Sequence, residues 1–327
     1  MFIIPKRFQY VNKFSVFMQY NRLLSSGTIS IFNSIQEMRS VHETWMSDNY
    51  KSVGKPPSIG FVPTMGALHD GHIALIKQAR DECDKVVVSI FLNPKQFAAN
   101  EDLDRYPKTY ETDLNRLKDE KVDAVFTPNI STMYPERPEY GTYIHIDNYD
   151  KLSEGASRPG FFKGVVTVVT KLFNIVQPSH SYFGQKDGLQ CLVIKQLVRD
   201  LNIPVTVKIL PTSRESDGLA MSSRNVYLND KERKLAPLLY QSLQMMETLC
   251  KEERNVDRLK AKTKEFLIRN GIEQVQYISI ADNDTGEELQ GGLNDQILSR
   301  GVFVSSVIVL GTTRLIDNIV IKKMFVV

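Results

Sequence analysis

The run Val86-Val87-Val88-Ser89-Ile90-Phe91 narrows the folds open to this chain more than any other segment. Six residues rich in β-branched side chains, without polar alternation, fit a strand covered on both faces, as in a parallel sheet. Other apolar runs read as strands at 29–32, 58–63, 122–126, around Tyr182-Phe183 and at 205–210. Helical patterns separate them. Asn33 reads as the N-cap of a helix over 34–48, and a second helix opens near Gly71, with Ile73, Leu75, Ile76 and Ala79 at three- and four-residue spacing. Further helices are expected over 109–121, 164–176 and 189–201. Strands alternating with helices need right-handed crossovers, so the pattern predicts an α/β fold, a Rossmann-like doubly wound parallel sheet.

Past Leu210 the character changes. A polar loop at 212–225 precedes helical stretches over 230–251 and 256–270 and strands over 274–280, 302–310 and 319–321. The expected division is a leader at 1–27, a main domain at 28–212, and a smaller C-terminal α+β domain at 213–327 that closes over the site. There is no internal repeat or low-complexity segment, and nothing beyond Asn225 suggests chemistry.

Composition bounds the partners. Hydrophobic residues at 42% and charged ones at 24% are ordinary for a globular protein. No apolar run approaches the roughly 20 residues needed to span a bilayer, so no membrane partner is expected. The net charge of +3 arises at one end, because residues 1–36 hold Lys6, Arg7, Lys13 and Arg22 and no acid. Removing those four from the 41 basic residues leaves 37 against 38 acidic ones, which offers no basic face for nucleic acid. An acid-free leader dotted with Arg, Lys and aromatic residues has the composition of a mitochondrial transit peptide. Arg22-Leu23-Leu24-Ser25-Ser26 resembles a matrix-processing site cut after Leu24. Mitochondrial location is therefore expected, with a non-targeting extension on a cytoplasmic protein as the alternative. Cys83, Cys191 and Cys250 are far apart and odd in number, and read as small buried hydrophobes in a reducing compartment.

Three segments carry chemistry. The first, Pro63-Thr64-Met65-Gly66-Ala67-Leu68-His69-Asp70-Gly71-His72, lies between the carboxyl end of a strand and the start of a helix, where ligands bind in open α/β sheets. A helix N-terminus offers unpaired N–H groups and a positive dipole end, which suit phosphate. Gly71 lets a phosphate approach the backbone, and His69 and His72, three apart, share a helix face from which both imidazoles can donate. A zinc pair is one rival, though the HExxH spacing and a third ligand are missing; two purely structural histidines are the other. The second segment, Gly184-Gln185-Lys186-Asp187, follows a strand and by the same rule faces the same crevice. Lys186 supplies a mobile cation for a triphosphate, and Asp187 a ligand for Mg²⁺ or a ribose hydroxyl. The third, Met221-Ser222-Ser223-Arg224-Asn225, sits in a loop hinged at Gly218, and its hydroxyls and guanidinium suit phosphate. Either of the last two alone is equally a solvated polar turn.

Together the three segments resemble the HIGH/KMSKS-type nucleotidyltransferases, which include class I aminoacyl-tRNA synthetases. Longer strings are more specific. Phe61-Val62-Pro63-Thr64-Met65-Gly66-Ala67-Leu68-His69-Asp70-Gly71-His72, Phe91-Leu92-Asn93-Pro94-Lys95-Gln96-Phe97, Tyr106-Pro107-Lys108-Thr109, Phe183-Gly184-Gln185-Lys186-Asp187 and Gly218-Leu219-Ala220-Met221-Ser222-Ser223-Arg224-Asn225 resemble the pantothenate synthetase (pantoate–β-alanine ligase) family, in the family's order. The resemblance covers about 29–327. It implies an ATP-dependent ligase that condenses pantoate with β-alanine through a pantoyl-adenylate, releasing pyrophosphate and AMP. It also implies a homodimer, with ATP and Mg²⁺ as cofactors and no tightly bound metal; Mg²⁺ arrives with ATP, Asp187 being a candidate ligand.

Carried over position by position, the resemblance makes His69 and His72 the ATP-site histidines, with His72 in the proton donor's place. Met65, Gly66, Ala67, Leu68, Asp70 and Gly71 complete the first ATP stretch. Gly184, Gln185, Lys186 and Asp187, then Met221, Ser222, Ser223 and Arg224, complete the ATP site, and the backbone of Ser213 lies beside the adenine. Gln96 and Gln190 hold pantoate, with Gln96 also near β-alanine, while Pro63, Met65, Asn93 and Arg158 line that pocket. Amides for the hydroxyls and an apolar wall of Met65 and Phe97 for the methyls suit pantoate. Catalysis is then positioning and charge stabilisation by Lys186, His69, His72, Ser222, Ser223 and Arg224. The chain departs from the family at Gln185, where an acidic residue is common, at Gly188, where an aromatic is usual, at Phe161, often histidine, and at Ser213, usually apolar. Two rivals are a related enzyme acting on a phosphate ester and a catalytically silent nucleotide-binding protein.

Overall fold

Residues 29–99, 101–137 and 139–322 are described by the computed structural model, so the expected leader and its processing site lie outside the described residues. Strand β1 (Ser30–Phe32) leads into helix α1 (Ile35–Val53). The N-cap is Ser34 rather than the expected Asn33, because the Ser34 hydroxyl accepts from the Glu37 N–H while Glu37 reaches back to the Ser34 N–H, a capping box. Then follow β2 (Ile59–Thr64), α2 (Asp70–Glu82), β3 (Lys85–Ile90), α3 (Tyr110–Asp119) and β4 (Ala124–Phe126). The alternation continues with α4 (Phe161–Val176), β5 (His180–Gly184), α5 (Gly188–Asp200) and β6 (Thr206–Leu210).

The six strands form one parallel sheet in the order β1-β4-β3-β2-β5-β6. Side-chain alternation explains why helices cover both faces. Phe61 and Val87 point into a core shared with α1, α4 and α5, whereas Val62, Val86 and Val88 point into one shared with α2 and α3. Each fully buried side chain of this kind contributes about 1.5–3 kcal/mol, several times a surface ion pair, so apolar patterning sets the topology. All three cysteines are buried free thiols. Among the described residues no helix is long and apolar enough to cross a membrane.

Strand order reverses between β2 and β5. The chain winds outward from β2 through β3 to β4, then restarts on the other side with β5 and β6. The carboxyl ends of β2 and β5 therefore flank an opening with no crossover above it, the switch point at which such sheets bind ligands.

The second sheet is antiparallel, β7 (Gln274–Asp282), β8 (Val302–Leu310) and β9 (Thr313–Ile321). β9 begins six residues earlier than the pattern suggested, since Asp317 and Asn318 interrupt its apolar run. The single helix expected over 230–251 is two, α6 (Asp230–Leu235) and α7 (Leu238–Leu249), parted around Pro237, which has no N–H to continue the ladder. Helix α8 (Val256–Arg269) and a short helix at Asp295–Arg300 also belong to this part. The main core runs on into the second sheet through Ala281 and Phe303.

Candidate active site

Gly66 and Ala67 both take left-handed backbone after β2, with φ of 86° and 51°. A side chain at Gly66 would press on Ile90 and Asp113, so glycine is required there. The turn is clamped from α3: the buried Asp113 carboxylate accepts the Ala67 and Leu68 N–H groups, each at 2.8 Å. Arg116 donates to the Leu68 carbonyl and pairs with Asp70. Two N–H groups of the stretch expected to bind ATP, those of Ala67 and Leu68, are thus taken by Asp113, and Asp70 points outward to Arg116 rather than into the crevice.

His69 is the N-cap of α2, so this helix starts one residue earlier than expected. The Gly71 N–H donates to His69 Nδ1 at 3.2 Å, and the His69 N–H donates to His72 Nδ1 at 3.2 Å. A Cβ on Gly71 would lie 2.9 Å from the His69 ring, so glycine here makes room for the imidazole as well as for a ligand. With Nδ1 accepting in both rings, the ring proton sits on Nε2. Both histidines are neutral donors, their ring centroids 4.1 Å apart.

Burial, reinforced by neighbouring positive charge, keeps them neutral. Burial, then the Lys186 ammonium, pushes His69 down to about 4, with Arg116 adding to the effect and Asp187 and Asp70 opposing it. His72 lies well below the usual imidazole range through burial, then His69, Lys186 and Arg116. The unfolded chain takes up the His69 proton near 6.5 and the folded chain near 4, so the residue's contribution to stability is complete above 6.5 and lost as pH falls toward 4. Urea melts are expected to show about 2 kcal/mol more destabilisation between pH 7 and pH 4.5 in wild type than in His69→Gln. Equal pH dependence in both proteins would contradict the neutral, buried imidazole.

The turn after β5 stands opposite. Lys186 is mostly buried, and its Nζ lies 3.3 Å from the half-exposed Asp187 carboxylate. Crowding opposes ionisation of Asp187, but Lys186, Arg224 and Arg158 outweigh it and hold the carboxyl below its usual range. Asn318 of β9 donates to the carbonyls of Gln185 and Lys186, both at 2.8 Å. The loop at 213–225 closes the third side. The Ser213 carbonyl accepts the Met221 N–H, the Ser223 hydroxyl donates to the Ala67 carbonyl at 2.9 Å, and Ser222 caps a short 3₁₀ turn. Arg224, expected on phosphate, makes two 2.8 Å bonds to Asp102.

The small-substrate side is built by Asn93 and α4. Asn93 is buried, accepts from the Tyr134 hydroxyl at 2.9 Å and donates to the Gln96 side-chain oxygen at 3.0 Å. That leaves the Gln96 amide nitrogen as its donor group, 3.1 Å from Met65 Sδ. Gly164 is what lets this segment sit so close, because a Cβ there would be 2.2 Å from the Lys95 carbonyl oxygen. Arg158 makes two 2.7 Å bonds to Glu101, and its guanidinium lies 3.7 Å from the centre of the Phe161 ring.

These groups line one cleft of about 220 Å³. His69, His72, Lys186, Ser213 and Met221 to Arg224 meet Pro63, Met65, Asn93, Gln96, Arg158 and Gln190 there, with Gly71, Gly184 and Asp187. Gly66, Ala67, Leu68, Asp70 and Gln185, expected at the ATP site, are not among the residues that line the cleft. A larger chamber of about 660 Å³, walled by β9 and the loops around Glu101, Arg158 and Arg224, shares Arg158, Lys186, Asp187, Gln190 and Arg224 with the cleft. Among the described residues no group of three or more His, Cys, Asp or Glu side chains is gathered as a metal centre.

The departure at Gly188 is balanced within the fold. The Phe303 ring of β8 occupies its missing side-chain space, 2.4 Å from where a Cβ would stand. Sequence reasoning missed Asp113, Asn318 and Phe303. A carboxylate one turn from Leu117 on the buried stripe of α3 was a readable sign of the first.

A parallel sheet whose switch point carries paired neutral imidazoles, an ammonium and a hydroxyl-bearing loop defines an α/β enzyme acting on a nucleotide and a second small molecule. More narrowly, the chain belongs to the Pantoate-beta-alanine ligase family, whose profile residues 30–320 match. Pantothenate synthetase of Roseiflexus castenholzii is 48% identical over 266 residues, covering 81% of this chain and 93% of that one. The crystal structure of pantothenate synthetase from Thermus thermophilus superposes with a TM-score of 0.80 at 38% identity, covering 90% of this chain and 100% of that one. Pantoate-beta-alanine ligase from Francisella tularensis, solved in complex with beta-gamma ATP and beta-alanine, gives a TM-score of 0.70 at 33% identity, covering 90% and 98%.

Proposed function

We propose that this chain condenses pantoate with β-alanine at the expense of ATP, through a pantoyl-adenylate. A pantoate carboxylate oxygen attacks the α-phosphorus, the bond to the bridging oxygen breaks, and pyrophosphate leaves with the electron pair. The β-alanine amine then attacks the acyl carbon, AMP departs from it, and the amine gives up a proton. The observation that carries this reading is the shared cleft in which the two imidazoles and Lys186 face Gln96, Met65 and Gln190. Negative charge grows on phosphate oxygens in the first step, and neutral Nε2–H donors with an ammonium stabilise it without reorganising. Mg²⁺ enters with ATP as substrate, and the ionised Asp187 suits a metal that keeps most ligands from phosphate and water.

AMP release is expected to need ATP, pantoate and β-alanine together, and to stop on chelating Mg²⁺. Sustained AMP formation without pantoate would overturn the proposal. The homodimer and the mitochondrial destination belong to the same reading, the latter supported by the acid-free basic stretch at 1–36. Light scattering on the purified chain, and localisation with and without residues 1–27, test them.

A further inference from the structure

Two neighbouring residues of β9, in the part of the chain without catalytic motifs, each reach a different nucleotide-site segment. Asp317 is buried and makes a two-pronged ion pair with Arg214, at 2.6 and 3.0 Å. Arg214 also donates to the Gly218 carbonyl at 3.1 Å and lies 3.5 Å from the centre of the Tyr240 ring. It thereby ties β9 to the base of the loop that presents Met221 to Arg224. Asn318, equally buried, spends both amide hydrogens on the carbonyls of Gln185 and Lys186. Successive residues of a strand point to opposite faces, so a single strand can address both segments at once.

We infer that Asp317 and Asn318 are positioning residues that hold the 213–225 loop and the 184–187 turn in one register, so that Lys186 and Ser222 to Arg224 meet the same triphosphate. The inference rests on the proposed function's placing of the triphosphate between those segments. Neither residue touches the cleft wall built by Gln96 and Asn93, so the effect should be confined to ATP. The bonds are short, Asp317 and Asn318 are themselves buried, and the two targets are separate in sequence, which a stability role alone does not require. Buried amides that satisfy backbone carbonyls fix those carbonyls in place, since the alternative is an unpaired polar group.

The test uses the full chain and pantoate-dependent exchange of pyrophosphate into ATP. Asn318→Leu keeps the branched four-atom skeleton and removes both donors; it should raise KM for ATP at least fivefold and lower exchange at least tenfold, with KM for pantoate within twofold. A residue that only stabilises the fold would lower the active fraction and leave both KM values alone. Should that variant fail to fold, Arg214→Lys keeps a cation beside Asp317 but loses the fork, and should raise KM for ATP at least threefold with pantoate unaffected. Folded variants with unchanged KM for ATP, or with both KM values raised equally, would overturn the inference while leaving the wild-type reaction standing. Wild-type protein without pantoate-dependent exchange would overturn the proposed function and this inference with it.

Discussion

Replacing His72 by alanine is expected to slow adenylate formation by on the order of 10² to 10³, as loss of one preorganised donor to a developing charge does elsewhere. The ring is neutral, its Nδ1 holds the His69 N–H, and its Nε2–H is the group it can offer a phosphate. The same change removes half of a helix cap, so a loss of about 1 kcal/mol in stability should accompany it. His72→Gln can keep the cap and a donor, and should recover part of both. Single-turnover adenylation, with urea melts as control, separates the two effects. Near-normal turnover in His72→Ala would remove the residue from the mechanism. The neutral ring also has a pH signature. In the free enzyme both imidazoles are already deprotonated at neutral pH, so kcat/KM for ATP should not fall because of them between pH 6 and 8. An enzyme that needed the imidazolium would lose about tenfold per pH unit above its pKa.

Lys186→Met should have an effect of similar size, on the order of 10² to 10³ in turnover, because it deletes the mostly buried ammonium of the cleft while keeping the aliphatic stem. Its distinctive consequence is on a neighbour. Lys186 disfavours a proton on His69 and favours charge on Asp187. Without it, the His69 pKa should rise from about 4 toward its ordinary value, though burial will hold it below, and Asp187 should rise too. Nitrogen-resolved titration of the imidazole reads this directly. An unmoved His69 would mean that the ammonium is not where the cleft places it.

The parallel sheet was legible because its strands are apolar on both faces and short, and because helices with cap residues separate them. The nucleotide segments were legible because Gly71 stands at the start of a helix that follows a strand, Lys186 directly after a strand, and Ser222-Ser223-Arg224 in a glycine-hinged loop. What stayed hidden acts across long stretches of sequence. Asp113 meets Ala67 from 46 residues away, and Asn318 meets Gln185 from 133 away. A polar residue in an otherwise apolar stripe shows that a partner must exist, since burying it alone would be costly, but not which partner. Likewise Ser34 took the cap from Asn33 because Glu37, three residues on, completes a reciprocal pair only with Ser34. The pairing of Arg158 with Glu101 and of Arg224 with Asp102 had no sequence signal beyond opposite charge.

Gly188 and Phe303 bear on how far this chain can be recombined with its relatives. The ring that fills the start of α5 is delivered from β8, more than a hundred residues later, and a Cβ at 188 would force that ring to move. A chimera joining the first sheet of this chain to a C-terminal part without a matching ring would leave a void beside the Lys186 turn, and the reverse chimera, with a side chain at 188, would set that side chain against Phe303. The two halves are interchangeable only if both positions travel together, so the small sheet is not a detachable module.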